Sequence, residues 1–250
     1  MKKTLTAYLM PTIIQIVVIA IIVFVLRGIG FELGYGTALG IILIVAGGIS
    51  SALWGAVYQC KFKGNSPRRI LTDFFCLRQS AKAYSLVVIF LLIDFASVIV
   101  SGGFHIESLW TPIVLFLKAI LVGGVEEIGW RYTFQPELEK KISYVAAALC
   151  TFITWGIWHV LFFYIDGTLL GLNATQLLFF MMGLLTNSFI LSCMYRISGS
   201  LWICVMTHAL INAGSQMTNT DNVAISVAAK LVCIMISIIL VYRGVRSENR

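Results

Sequence analysis

Three short polar clusters hold the residues whose types and spacing could do chemistry: Glu126, Glu127 and Arg131 in VEEIGWR, Trp155 and His159 in WGIWH, and His208 with Asn212 in HALIN. Glu127 and Arg131 stand four apart, so on a helix they share a face and can pair, while Glu126 points toward a different neighbour. A second adjacent carboxylate has no use in a simple ion pair and suits a general base. His208 and Asn212 are also four apart, and their donors could converge on one oxygen. Donors preorganised around a developing oxyanion are each worth roughly 2.7–4 kcal/mol of barrier, and a positioned base contributes about 10² to 10⁴ in rate. Plainer readings exist: a Glu127–Arg131 ion pair locking two helices, single histidines as helix contacts, Trp155 as packing. The chain has only three histidines. With His105 in a loop, His159 and His208 beside Glu126 favour a site.

The elements that must position these groups are greasy. Hydrophobic residues make up 59% of the 250-residue chain and charged residues 12%, and the mean hydropathy is +0.94. A soluble domain carries about 25% charged residues. A buried charge at the bilayer centre costs roughly 2.5–3.5 kcal/mol on insertion scales, so the polar clusters need a functional or pairing reason. Crossing the hydrocarbon takes roughly 20 helical residues. Eight apolar stretches approach that length, near 4–26, 35–59, 84–101, 109–130, 144–164, 176–195, 201–217 and 223–242. The signal is far stronger than the alternation of barrel strands, so the expected fold is an all-α, polytopic membrane bundle. Nothing divides it, and one domain spanning 1–250 is expected, with a motif core at 109–217. The one substantial loop covers 61–83.

Loop charges set an orientation, because short cytoplasmic loops accumulate Lys and Arg. With both termini inside, the cytoplasmic side receives Lys2, Lys3, Lys61, Lys63, Arg68, Arg69, Arg78, Lys82, Lys140, Lys141, Arg196, Arg243, Arg246 and Arg250. The other side receives Arg27, Glu32, Glu107, Asp166 and Asp221. The net charge of +7 then reflects topology, and no nucleic-acid partner is expected. The first span lacks a small-residue cleavage site and should stay attached as an anchor. The six cysteines form no C-x-x-C pair and suggest neither a disulfide framework nor a zinc site. Asp94 and Lys118, of opposite sign in successive spans, are expected to pair, and Lys230 to snorkel or face a cavity. Gly47 with Gly48, and Gly123 with Gly124, should permit close helix approach.

The ordered motifs E-E-x-x-x-R, aromatic-x-x-x-H and H-x-x-x-N resemble the CPBP, or Abi, intramembrane proteases. That family includes the CAAX prenyl endopeptidases and bacteriocin-processing or self-immunity proteins. The resemblance covers about 123–212, with Trp155 standing where the family more often has phenylalanine. It implies an eight-helix bundle with a site open to the cytosolic side. It also implies that Glu126 and His159 activate a water against a peptide carbonyl, that His208 and Asn212 stabilise the oxyanion, and that Glu127 and Arg131 hold Glu126. No metal is required on this reading, although Glu126, His159 and His208 would also make a catalytic zinc set. Substrates would be peptides or lipid-modified proteins at the lipid bilayer, and the compact chain points to a bacterial plasma membrane. Two other classes compete: a proton-coupled transporter, since intramembrane Glu, His, Asp and Lys build ion pathways, and a non-catalytic self-immunity or peptide-binding protein. The sequence carries no signal for an oligomeric state.

Overall fold

The computed structural model describes residues 2–218 and 222–248. Asp221 and Arg250, both used in the charge reading, lie outside the described residues, as do the side chains of Lys2 and Arg246. Each apolar stretch becomes helix, because in lipid the backbone must satisfy its own hydrogen bonds. In chain order the principal helices are α1 (Leu5–Gly28), α2 (Ala38–Gly48), α3 (Ser50–Lys63), α4 (Pro67–Phe74), α5 (Ala81–Asp94), α6 (Ala96–Ser101), α7 (Thr111–Val122), α8 (Tyr144–Asp166), α9 (Ala174–Ser198), α10 (Leu201–Gln216) and α11 (Val223–Glu248). Among the described residues there is no strand, only an isolated bridge between Phe104 and Thr218. The protein is an all-helical integral membrane protein. By length and composition four helices can cross a bilayer: α1, α8, α9 and α11. A fifth span arises if α2 and α3, bent by 43° at their junction, count as one.

Side chains at the helix starts satisfy the first free N–H groups. Ser143 accepts from the Ala146 amide at the head of α8 and Ser200 from Ile203 at the head of α10. Asn173 and Gln176 form a reciprocal capping box on α9. On α11, Leu231, Met235 and Ile239 recur every four residues and stay exposed, a stripe suited to lipid. The expected loop at 61–83 contains α4. Ser66 caps it with Pro67 at its first position, and Ile70 and Phe74, four apart, bury one face. Only Ile70 and Phe74 mark that apolar face, too short a pattern to stand out in a hydropathy reading.

The expected glycine contacts are present. A methyl group on Gly47 would meet Ile165 Cδ1 at 2.9 Å, and one on Gly48 would meet Phe162 Cε2 at 3.0 Å. Closer still, Gly55 on α3 faces the Gly129 backbone, with 2.7 Å from its would-be Cβ to Gly129 Cα. Asp94 does not pair with Lys118: its partner is Lys230 of α11, 3.0 Å away, and Lys118 is exposed. The two spans are neighbours in sequence, but the lysine on α7 faces outward while α11 lies against α5.

The bundle has two chemically different ends. At one, Lys63 and Lys140 both bind Glu137, and Arg196 lies 3.4 Å from Glu139. At the other, Arg27 donates to the carbonyl oxygens of Tyr164 and Ile165, and Tyr35 donates to Asp166.

Candidate active site

The backbone changes pitch where the first cluster lies. After α7 the chain tightens into a 3₁₀ turn at Gly124–Glu126, passes through a single α turn at Glu127–Gly129 and widens into a π turn at Trp130–Phe134. Such departures from regular helix re-aim side chains. Glu126 turns toward α8 and Glu127 toward α10.

Glu126 Oε2 accepts a hydrogen bond from Trp155 Nε1 at 2.7 Å and lies 3.8 Å from His159 Nε2. Glu127 Oε1 takes Arg131 Nη1 at 3.0 Å and His208 Nδ1 at 2.8 Å. Facing a carboxylate, His208 Nδ1 is the donor, which leaves Nε2 pointing away from Glu127. The Arg131 guanidinium stacks on the Trp155 ring 4.0 Å from its centre. Arg131 therefore bears on Glu126 through Trp155, not directly, and Trp155 is more than a wall.

Glu126, His159, His208 and Asn212 line one cavity of about 410 Å³. Glu127, Arg131 and Trp155 stand behind it, each 0% exposed. A methyl group placed on Gly123 would sit 2.5 Å from Asn212 Nδ2 and 3.2 Å from His208 Nε2. The two nitrogens thus face one small space, kept open because position 123 has no side chain. The Glu126 amide bonds the Gly123 carbonyl, so that space is one turn from the carboxylate. All seven sequence-selected residues come together from α7 and the turns after it, α8 and α10.

Two lining groups carried no sequence signal strong enough to single them out for the site. Asn187 of α9 is 9% exposed and its Oδ1 has no hydrogen-bond partner. Its spacing from Phe180 and Leu184, also lining residues, is the i, i+4, i+7 stripe that would have placed it on that face. The Asp94–Lys230 pair also lines the cavity. Among the described residues no three His, Cys, Asp or Glu side chains are grouped to hold a metal ion, the set Glu126, His159 and His208 included.

The cavity extends from the site toward one end of the bundle. Its outer walls are Asp94 at the end of α5, Phe163 near the end of α8, Phe179 near the start of α9 and Ser215 near the end of α10. All four positions belong to the end away from the basic loops, because the helices that supply them run in alternating directions. Trp130, Arg131 and Phe134, at most 1% exposed, pack solidly beyond the site on the basic side.

Residues 108–214 match the family described as Type II CAAX prenyl endopeptidase Rce1-like. The resemblance to the CPBP and CAAX proteases is thereby borne out over that stretch, which contains all seven site residues. No curated protein matches the chain.

Proposed function

We propose that the protein is an intramembrane endopeptidase that cleaves a membrane-associated peptide or lipid-modified protein by direct attack of water. The observation that carries this reading is that Glu126, His159, His208 and Asn212 share a single cavity, with His208 Nε2 and Asn212 Nδ2 converging beside Gly123. Glu126 takes a proton from water held between it and His159. The 3.8 Å separation is too long for a direct hydrogen bond, so both groups are left free to bind the same water. The hydroxide attacks the peptide carbonyl, the tetrahedral oxyanion is held by His208 and Asn212, and the proton passes to the leaving amine. Glu127 holds His208 through Nδ1 and so aims Nε2 at the oxyanion. Arg131 and Trp155 fix the carboxylate.

A second cleft, about 240 Å³ and lined by Ile44, Val45, Leu121, Val125 and Phe162, reaches Glu126 from the apolar side. It would admit a segment from the bilayer. The chain as a whole would form one domain of eight crossings, short and broken helices included, with both termini on the basic side of a bacterial plasma membrane.

The test uses purified protein with two reporters, a prenylated C-terminal peptide and an unmodified transmembrane peptide. Glu126→Ala and His159→Ala should abolish cleavage while the melting temperature holds. Retained turnover by either variant rejects the mechanism. Loss on chelation with recovery on zinc would instead assign Glu126, His159 and His208 to a metal.

A further inference from the structure

We propose that Asn187 is a substrate-binding residue of this site: its side-chain Oδ1 accepts a hydrogen bond from a backbone N–H of the bound peptide beside the scissile bond. This rests on the endopeptidase reading and adds to it a contact from α9, a helix that carries none of the three sequence motifs.

Three observations carry it. First, Asn187 lines the catalytic cavity, is 9% exposed, and its Oδ1 has no hydrogen-bond partner among the described residues. Buried side-chain oxygens are nearly always bonded, so one left over calls for a reason. Other polar side chains on the cavity are already engaged: Lys230 donates to Asp94 and Ser215 to the Ile211 carbonyl. Secondly, Asn187 stands level with His208. α9 and α10 are joined by the short turn at Gly199 and Ser200, so they run antiparallel, and Cys204 Sγ bonds the Leu191 carbonyl across them at 3.4 Å. One turn further along each helix from that bond come His208 and Asn187. On its other side α9 is fixed to α8, where Ser188 Oγ donates to the Ala148 carbonyl at 2.9 Å. Asn187 is thereby held against both helices that supply the catalytic histidines. Thirdly, the rest of the α9 wall is Phe179, Phe180, Gly183 and Leu184, which carry no polar side-chain atom. A peptide lying along this wall meets one polar group, at the depth of His208.

The chemistry is complementary. A peptide unit brings one acceptor and one donor, and both need partners away from bulk water. His208 and Asn212 are donors and take the oxygen of the reacting carbonyl. A neighbouring N–H then needs an acceptor, and Asn187 Oδ1 supplies it.

The test uses whichever of the prenylated and transmembrane reporters the purified protein cuts. Asn187→Leu has nearly the same size and no acceptor, whereas Asn187→Asp keeps an acceptor. Asn187→Leu should raise KM roughly 10-fold with kcat little changed, the pattern of a contact made equally in the ground and transition states. Its Tm should hold or rise, because the substitution removes a buried oxygen that has no partner in the fold. Asn187→Asp should recover most of the KM. Reporters with one backbone N–H near the scissile bond replaced by an ester oxygen locate the contact. One such ester should raise KM for the natural protein and leave Asn187→Leu unaffected. An unchanged KM for Asn187→Leu overturns the proposal, as does a loss confined to kcat, a raised KM with a lowered Tm, or ester effects that are the same in both proteins at every position. Cleavage by the natural protein with an unchanged KM in Asn187→Leu removes Asn187 alone, whereas a natural protein that cuts neither reporter rejects the endopeptidase reading and this contact with it.

Discussion

Two adjacent carboxylates in this protein have different partners, and the difference defines the site. Glu127 pairs with Arg131 and bonds His208, while Glu126 keeps one indole N–H and faces the cavity. The four-residue spacing made the Glu127–Arg131 pair legible from sequence, and it also made plain that Glu126 needed another neighbour. The indole bond was not legible, since an aromatic one turn before a histidine reads as packing. Its effect is testable: Trp155→Phe keeps a ring under Arg131 but removes the donor. A hydrogen bond to a charged group is worth about 1.5–3 kcal/mol, so kcat should fall roughly 10- to 100-fold with KM little changed. An unchanged kcat would mean that the indole only packs. Arg131→Ala leaves Glu127 buried without its cation, and losing one partner of a buried pair costs about 3–5 kcal/mol. Thermal unfolding in detergent should show a large drop in Tm, which Arg131→Lys should only partly restore.

At the scale of elements, hydropathy located every apolar helix, because a bilayer demands length and apolarity together. It could not show the change of pitch between Gly123 and Phe134, which is held by contacts from elsewhere in the chain. Ser51 of α3 donates toward the Glu126 carbonyl and also bonds Tyr8 of α1. Gly55 and Gly129 let α3 approach backbone to backbone. Gly123 is the element's most sensitive point. Gly123→Ala would intrude on Asn212 Nδ2 and His208 Nε2 and should lower kcat about as much as losing an oxyanion donor, roughly 10² to 10³. The fold should survive, since the methyl enters a cavity; normal turnover by the variant would refute the assignment of those donors. At the basic end, partial burial raises the proton affinity of Glu137, but hydrogen bonds from Lys140 and Lys63 outweigh it and hold its pKa below the ordinary 4.5. A depressed carboxylate stabilises the fold fully above its unfolded value, and that contribution disappears as pH falls through the folded one. Melting curves below about pH 4.5 should therefore drop less steeply for Glu137→Gln than for the natural chain.

Across the whole molecule, the catalytic cavity runs toward the end away from the basic loops, and an apolar groove of about 740 Å³, lined by Cys60, Lys61, Pro67 and Ile70, lies at the basic end. The charge pattern alone made the two ends legible, but the direction of the cavity depends on where each lining residue falls along its helix. That follows only from the three-dimensional arrangement. The Asp94–Lys230 pair shows the same limit, since opposite charges in successive spans suggested a different partner. The central claim is that these residues, gathered from three regions of the chain, cut peptides. The most direct measurement compares newly formed peptide N-termini, by mass spectrometry, in membranes of cells carrying the natural protein and cells carrying Glu126→Gln at equal abundance. A defined set of termini should occur only with the natural protein. Identical sets in the two would contradict hydrolysis by Glu126.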